Sequence, residues 1–124
     1  MEMRLEVVPV PVTDVDRAKS FYVDQVGFTP DHDHVVSPEI RFVQLTPPGS
    51  ACSIVIGVGV AGDMVPGSLR GLMAVIPDAD AARKELAERG VDVSEVSEQP
   101  WGRFVYFADP DGNTWSLQQL PQRS

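Results

Sequence analysis

The side chains able to do acid–base, nucleophilic or metal chemistry are few in this chain, and their spacing points to no familiar catalytic set. The two histidines, His32 and His34, lie in Asp31-His-Asp-His. An i, i+2 pair flanked by carboxylates could hold a metal at an exposed loop or edge strand, but a solvated polar segment is the favoured reading. Asp109 and Asp111 are paired carboxylates, yet Pro110 and Gly112 mark them as turn residues. Ser53 and Ser116 have no histidine placed to activate them. Cys52 is the single cysteine, so it cannot form an internal disulfide; its apolar setting reads as a buried strand position.

The elements that must position these residues occur twice. Asp14-Val-Asp-Arg-Ala opens a stretch ending at Gly27, and Asp78-Ala-Asp-Ala-Ala opens one ending at Gly90. Arg41-Phe-Val leads into Thr46-Pro-Pro-Gly-Ser; Arg103-Phe-Val leads into Ala108-Asp-Pro-Asp-Gly-Asn. Each half reads as strand, helix, then three strands. In the first, Leu5–Val12 is a strand tolerating Pro9 and Pro11 at an edge or seam. Thr13 or Asp14 caps a helix that buries Val15, Ala18, Phe21 and Tyr22 and closes at Gly27. Strands follow near Phe28–Asp31, Ile40–Leu45 and Cys52–Gly57. The second half predicts a strand at Leu72–Ile76, a helix over Ala79–Arg89 capped by Asp78, and strands at Val91–Val96, Arg103–Phe107 and Thr114–Gln118. The expectation is an α+β fold of two βαβββ modules in tandem, over about residues 1–57 and 69–120. A Gly-containing linker at about 58–68 joins them, and a curved sheet forms around a cleft.

Composition narrows the partners. With 124 residues and 43% hydrophobic content this reads as one domain. The formal charge of −8 disfavours nucleic acid and anionic membranes as partners. No apolar run reaches the roughly 18–20 residues of a membrane span, and the N-terminus lacks a signal-peptide core. A cytoplasmic location is expected.

Hairpin register sorts the side chains. If Gly112 forms a bulge in the last turn, Asp109 opposes Asn113 and Tyr106 opposes Ser116. Phe104, Tyr106, Thr114, Ser116 and Gln118 then share one face, while the apolar Val105, Phe107, Trp115 and Leu117 lie beneath the helix. The repeat puts Phe42, Gln44, Ser53 and Val55 on the corresponding face of the first module. Met73 and Trp101 add apolar and stacking area, giving a lining suited to a planar ligand. The lining read this way contains no His, Asp or Glu. Tyr106 is a poor base at neutral pH. Arg41 and Arg103 map to the helix side or the rim, where pairing with acidic neighbours is expected.

Val12-Thr-Asp-Val-Asp-Arg-Ala-Lys-Ser-Phe-Tyr and Trp101-Gly-Arg-Phe-Val-Tyr-Phe-Ala-Asp-Pro-Asp-Gly-Asn, with the duplication, resemble the vicinal oxygen chelate superfamily. That superfamily includes glyoxalase I, extradiol dioxygenases, and fosfomycin- and bleomycin-resistance proteins. The resemblance implies metal ligands on the first and last strand of each module. Carried over, those positions are Val7, Arg70 or Gly71, Ser53 and Ser116, none of which is a good ligand for a transition metal. Arg70 could instead meet a ligand carboxylate or phenolate. The expectation is therefore a protein without metal or cofactor that sequesters an aromatic or amphiphilic small molecule. A superfamily enzyme (glyoxalase, lyase, dioxygenase or isomerase) and a non-binding structural or regulatory module are the alternatives. The resemblance further implies a homodimer, since the modules of these proteins often pair across subunits; whether a second chain completes the cleft is left open by the sequence.

Overall fold

The computed structural model describes residues 1–122. Eight strands form two four-stranded mixed sheets. The first contains β1 (Val7–Pro9), β2 (Thr29–Ser37), β3 (Ile40–Thr46) and β4 (Ser53–Val58), in the order β1-β4-β3-β2. The second contains β5 (Leu72–Val75), β6 (Ser97–Gln99), β7 (Gly102–Ala108) and β8 (Thr114–Gln119), in the order β5-β8-β7-β6. β1 runs parallel to β4 and β5 parallel to β8; the other pairs are antiparallel. These are the two tandem βαβββ units read from the sequence.

Helix α1 (Val15–Ser20) is capped by the Asp14 carboxylate, which accepts from Arg17 N–H, and α2 (Ala79–Glu88) by Asp78, which accepts from Ala81 N–H. Gly27 and Gly90 follow with φ of 94° and 84°, a conformation that lets a glycine end a helix. The helices otherwise differ. α1 passes into a π-helical turn over Phe21–Val26, where the Gly27 N–H reaches back to Tyr22 O. The widened turn brings Phe21 and Tyr22 against the second sheet, ring to ring with Phe107 and Trp115 respectively.

That contact fixes the architecture. Val43, Leu45, Ile54 and Ile56 of the first sheet and Val105, Phe107, Trp115 and Leu117 of the second belong to one buried cluster with the inner residues of both helices. The helices lie between the sheets, and the opposite face of each sheet turns outward.

Three expected elements change. The strand expected at Leu5–Val12 shortens to Val7–Pro9, because Pro9 and Pro11 have no N–H to donate and the last ladder bond is Val10 N–H to Val55 O. The strand expected near Phe28–Asp31 extends to Ser37, with register shifts after Pro30 and Val35. Val91–Val96 is not a strand. Ser94 N–H donates to Tyr106 O, but the Tyr106 N–H is taken by Ser94 Oγ, so a side chain interrupts the ladder. The sixth strand begins only at Ser97. Cys52 precedes β4 and is half-buried, not a strand residue.

Candidate functional site

The outward face of the first sheet is polar. Val55 lies opposite Gln44, and Gln44 opposite His32; Phe42 lies opposite His34. Residues directly opposite share a face, so both histidines join the face that carries Gln44 and Phe42. Their rings stack 5.8 Å apart. The shift between Pro30 and His32 inserts Asp31 as an extra residue, and its carboxylate accepts the Thr46 hydroxyl. Thr46 Oγ1 is 2.6 Å from Ser53 Oγ, which accepts the Gln44 amide at 3.3 Å. The expectation of a face without His or Asp is therefore corrected: a bulge that sequence alternation cannot reveal brings Asp31 and His32 into the row.

The outward face of the second sheet is aromatic. Tyr106 pairs with Ser116 and Phe104 with Gln118, in the register inferred from the turn, and Met73 lies beside Ser116 on the parallel strand β5. The rings of Phe104 and Tyr106 stack in parallel, 6.0 Å apart and 3° from coplanar. Phe104 is 3% exposed, whereas Tyr106 is 40% and Met73 60% exposed. Gln118 donates its amide to Trp101 O, tying down the β6–β7 turn; the Trp101 ring itself is 60% exposed.

The remaining residues go elsewhere. Arg70 is exposed and donates to Gly112 O, which holds it against the last turn. Val7 is half-buried opposite Ser53. Ser53 and Met73 come together in a groove of about 430 Å³ at the seam between β1–β4 and β5, with Leu5, Cys52, Val75 and Trp115. Phe42, Gln44, Phe104, Tyr106, Ser116 and Gln118 are not part of its wall.

Charged pairs mark the inner side and the rim, one network per module. Arg41 bridges Asp33 and Asp16, and Arg103 bridges Glu98 and Asp80. Hydrogen bonds from Arg41 and then Lys19 hold the Asp33 carboxyl well below the usual range; Arg103 does the same for Asp80 more weakly. Deeper, Asp109 is buried and collects hydrogen bonds from Tyr22 OH, Asn113 Nδ2 and the N–H groups of Asp111 and Asn113. Trp115 Nε1 donates to Tyr22 Oη. Burial first, and then the Asp109 charge, push the Tyr22 phenol far above its ordinary value. Asp109 is a turn residue, as its neighbours predict, but it is also the polar centre of the core.

A family model described as the glyoxalase/bleomycin resistance protein/dioxygenase superfamily matches residues 4–117. The chain belongs to this superfamily. Among similar solved structures is TnmS3, an antibiotic binding protein from Streptomyces sp. CB03234, with 41% identity, TM-score 0.87, and 97% of this chain and 98% of that one covered. A glyoxalase/bleomycin resistance protein from the same strain is 42% identical, with TM-score 0.82 and coverage of 94% and 100%. YetH, an uncharacterised protein of Bacillus subtilis (strain 168), is 29% identical over 123 residues, which is 96% of this chain and all of YetH.

Some members of the superfamily carry a metal, and the residues here do not fit one. Val7 has no donor atom, Arg70 is a permanent cation, and Ser53 Oγ is already engaged by Gln44 and Thr46. No three His, Cys, Asp or Glu side chains among the described residues come together as a metal-holding group. No helix among them is long and apolar enough to cross a membrane.

Proposed function

We propose that this superfamily member is a cytoplasmic, metal-independent binding protein that sequesters an aromatic or amphiphilic small molecule without making or breaking a bond. The observation that carries this reading is the presence of two unlike outward faces, a hydrogen-bonding one on the first sheet and a stacked aromatic one on the second. Together they offer apolar area and fixed polar contacts, the usual make-up of a small-molecule site. Similarity to TnmS3, an antibiotic binding protein, supports the same reading.

The two faces point away from each other within one chain, so we further propose a homodimer in which the first sheet of one copy opposes the second sheet of the other. The exposed Met73 and Val75 on β5, and the outer edges of β1 and β5 without a strand partner, support this pairing. Sedimentation of the wild type and of Val75→Glu tests it: a dimer dissociated by the charge is expected, and a wild-type monomer contradicts it.

The binding claim is tested by titrating chelator-treated protein with a panel of aromatic and amphiphilic compounds. Saturable binding that survives chelation is expected. Near-stoichiometric retention of zinc, nickel, manganese or ferrous iron, with binding lost on its removal, would overturn the metal-independent reading. A catalytic alternative draws on His32 and Asp31, an imidazole and a carboxylate on the outward face of the first sheet. Turnover that His32→Ala abolishes would favour it.

A further inference from the structure

The polar row on the first sheet has a direction. A hydroxyl has one proton to give, and that of Thr46 goes to Asp31. In the 2.6 Å contact between Thr46 and Ser53, Ser53 must therefore be the donor. Gln44 Nε2 in turn donates to Ser53 Oγ. The row thus runs Gln44 to Ser53 to Thr46 to Asp31, with every proton pointing at the carboxylate. Ser53, its middle member, is 5% exposed. What the row offers outward is acceptor capacity: the Gln44 amide oxygen and the free oxygen of Asp31.

The charge at its end is uncompensated. Asp33, two residues along β2, is held by both Lys19 and Arg41. Asp31 has no basic partner among the described residues, and its neighbours on this face, His32 and His34, form no ion pair with it. Charge-assisted hydrogen bonds to a carboxylate are roughly twice as strong as neutral ones, and such an acceptor facing a cleft is left for something outside the chain. The formal charge of −8 attracts the same class of molecule.

We propose that Asp31, backed by Thr46, Ser53 and Gln44, recognises a cationic hydrogen-bond donor on the ligand, a protonated amine or aminated heteroaromatic on a planar frame. This rests on the two-copy cleft reading above, with the frame seated on the Phe104–Tyr106 stack of the second copy. Three planar probes separate the elements of the claim: proflavine is a cation with N–H donors, N-methylacridinium a cation without them, and acridine neutral at neutral pH.

Fluorescence titration of wild type, Asp31→Asn and Tyr106→Ala with all three is the test. Asn at position 31 keeps an acceptor for Thr46 and removes only the charge. The wild type is expected to bind proflavine at least about tenfold more tightly than acridine, with N-methylacridinium between them. Asp31→Asn should cancel most of that preference while leaving acridine binding within about twofold, and Tyr106→Ala should weaken all three. A preference that Asp31→Asn does not reduce, or no preference in the wild type, overturns the inference and leaves the cleft standing. Equal weakening of all three by Asp31→Asn also overturns it, because the residue would then act on the frame, not the charge. Failure of every probe to bind the wild type, or indifference of all three to Tyr106→Ala, brings down the cleft reading itself.

Discussion

The two sheets are built on one template, and their inner and outer faces have followed different rules. Inside, the modules match: apolar strand residues under a helix, an Asp cap, a glycine stop, and an arginine joining a helix-start aspartate to an acidic strand residue. Outside, they keep an equivalent Phe (Phe42, Phe104) and Ser (Ser53, Ser116) and otherwise diverge. The first sheet carries a hydrogen-bonded row ending in a free carboxylate, the second a stacked aromatic pair. Inner faces are constrained by the close packing of a common core, whereas outer faces are released from that constraint.

If the inner side carries stability, the largest effect should come from its polar centre. Asp109→Ala strips the partner from Tyr22 OH, Asn113 Nδ2 and two backbone N–H groups, and should cost about 3 kcal/mol or more in urea unfolding. A loss below about 1 kcal/mol would break the distinction between the faces. Tyr22→Phe comes next, at about 1–2 kcal/mol, because it orphans the buried Trp115 N–H.

Tyr22 also has a pH signature. Its folded-state pKa is raised, so its contribution is whole below the ordinary tyrosine value of about 10 and is lost as pH rises beyond it. The alkaline fall in stability should be shallower in Tyr22→Phe, as followed by denaturant titration across that range.

On the outer faces the cost should shrink. Ser53→Ala, which cuts the row at a buried hydroxyl, should cost about 1 kcal/mol, and Tyr106→Ala, half in solvent, about 1 kcal/mol or less. If Tyr106→Ala unfolds the chain, that face is core and the comparison fails.

The smallest effect separates the two arginine networks. The folded-state pKa of Asp33 is depressed, so its contribution is present above the ordinary carboxylate range and is lost as pH falls through and below it. Asp33→Asn should flatten the acid limb more than Asp80→Asn, since Asp80 is held by Arg103 alone.

Much of this was legible in the residues because it is local and periodic. Asp14 and Asp78 cap as their side-chain chemistry demands, and the Asp-Pro-Asp-Gly turn set the register that places Tyr106 opposite Ser116. What escaped was irregular or long-range. The π-helical turn at Phe21–Val26 adds no composition signal, yet it delivers Tyr22 to Trp115 and Asp109. The bulge at Asp31 shifts alternation by one residue, which decides which side chains of β2 meet the outward face. Ser94 interrupts a strand by using its side chain where the ladder needs a carbonyl. The faces of β3, β4, β7 and β8 follow plain alternation and were legible, whereas β2, interrupted by two register shifts, was not.

The most direct test of a ligand site on these two faces is amide chemical-shift mapping of the protein titrated with proflavine. Perturbations centred on Phe42, Gln44 and Ser53 of the first sheet and on Phe104, Tyr106 and Ser116 of the second are the predicted result. Shifts confined to Leu5, Cys52, Leu72 and Ala74 of the seam groove, or none at saturating probe, would contradict it.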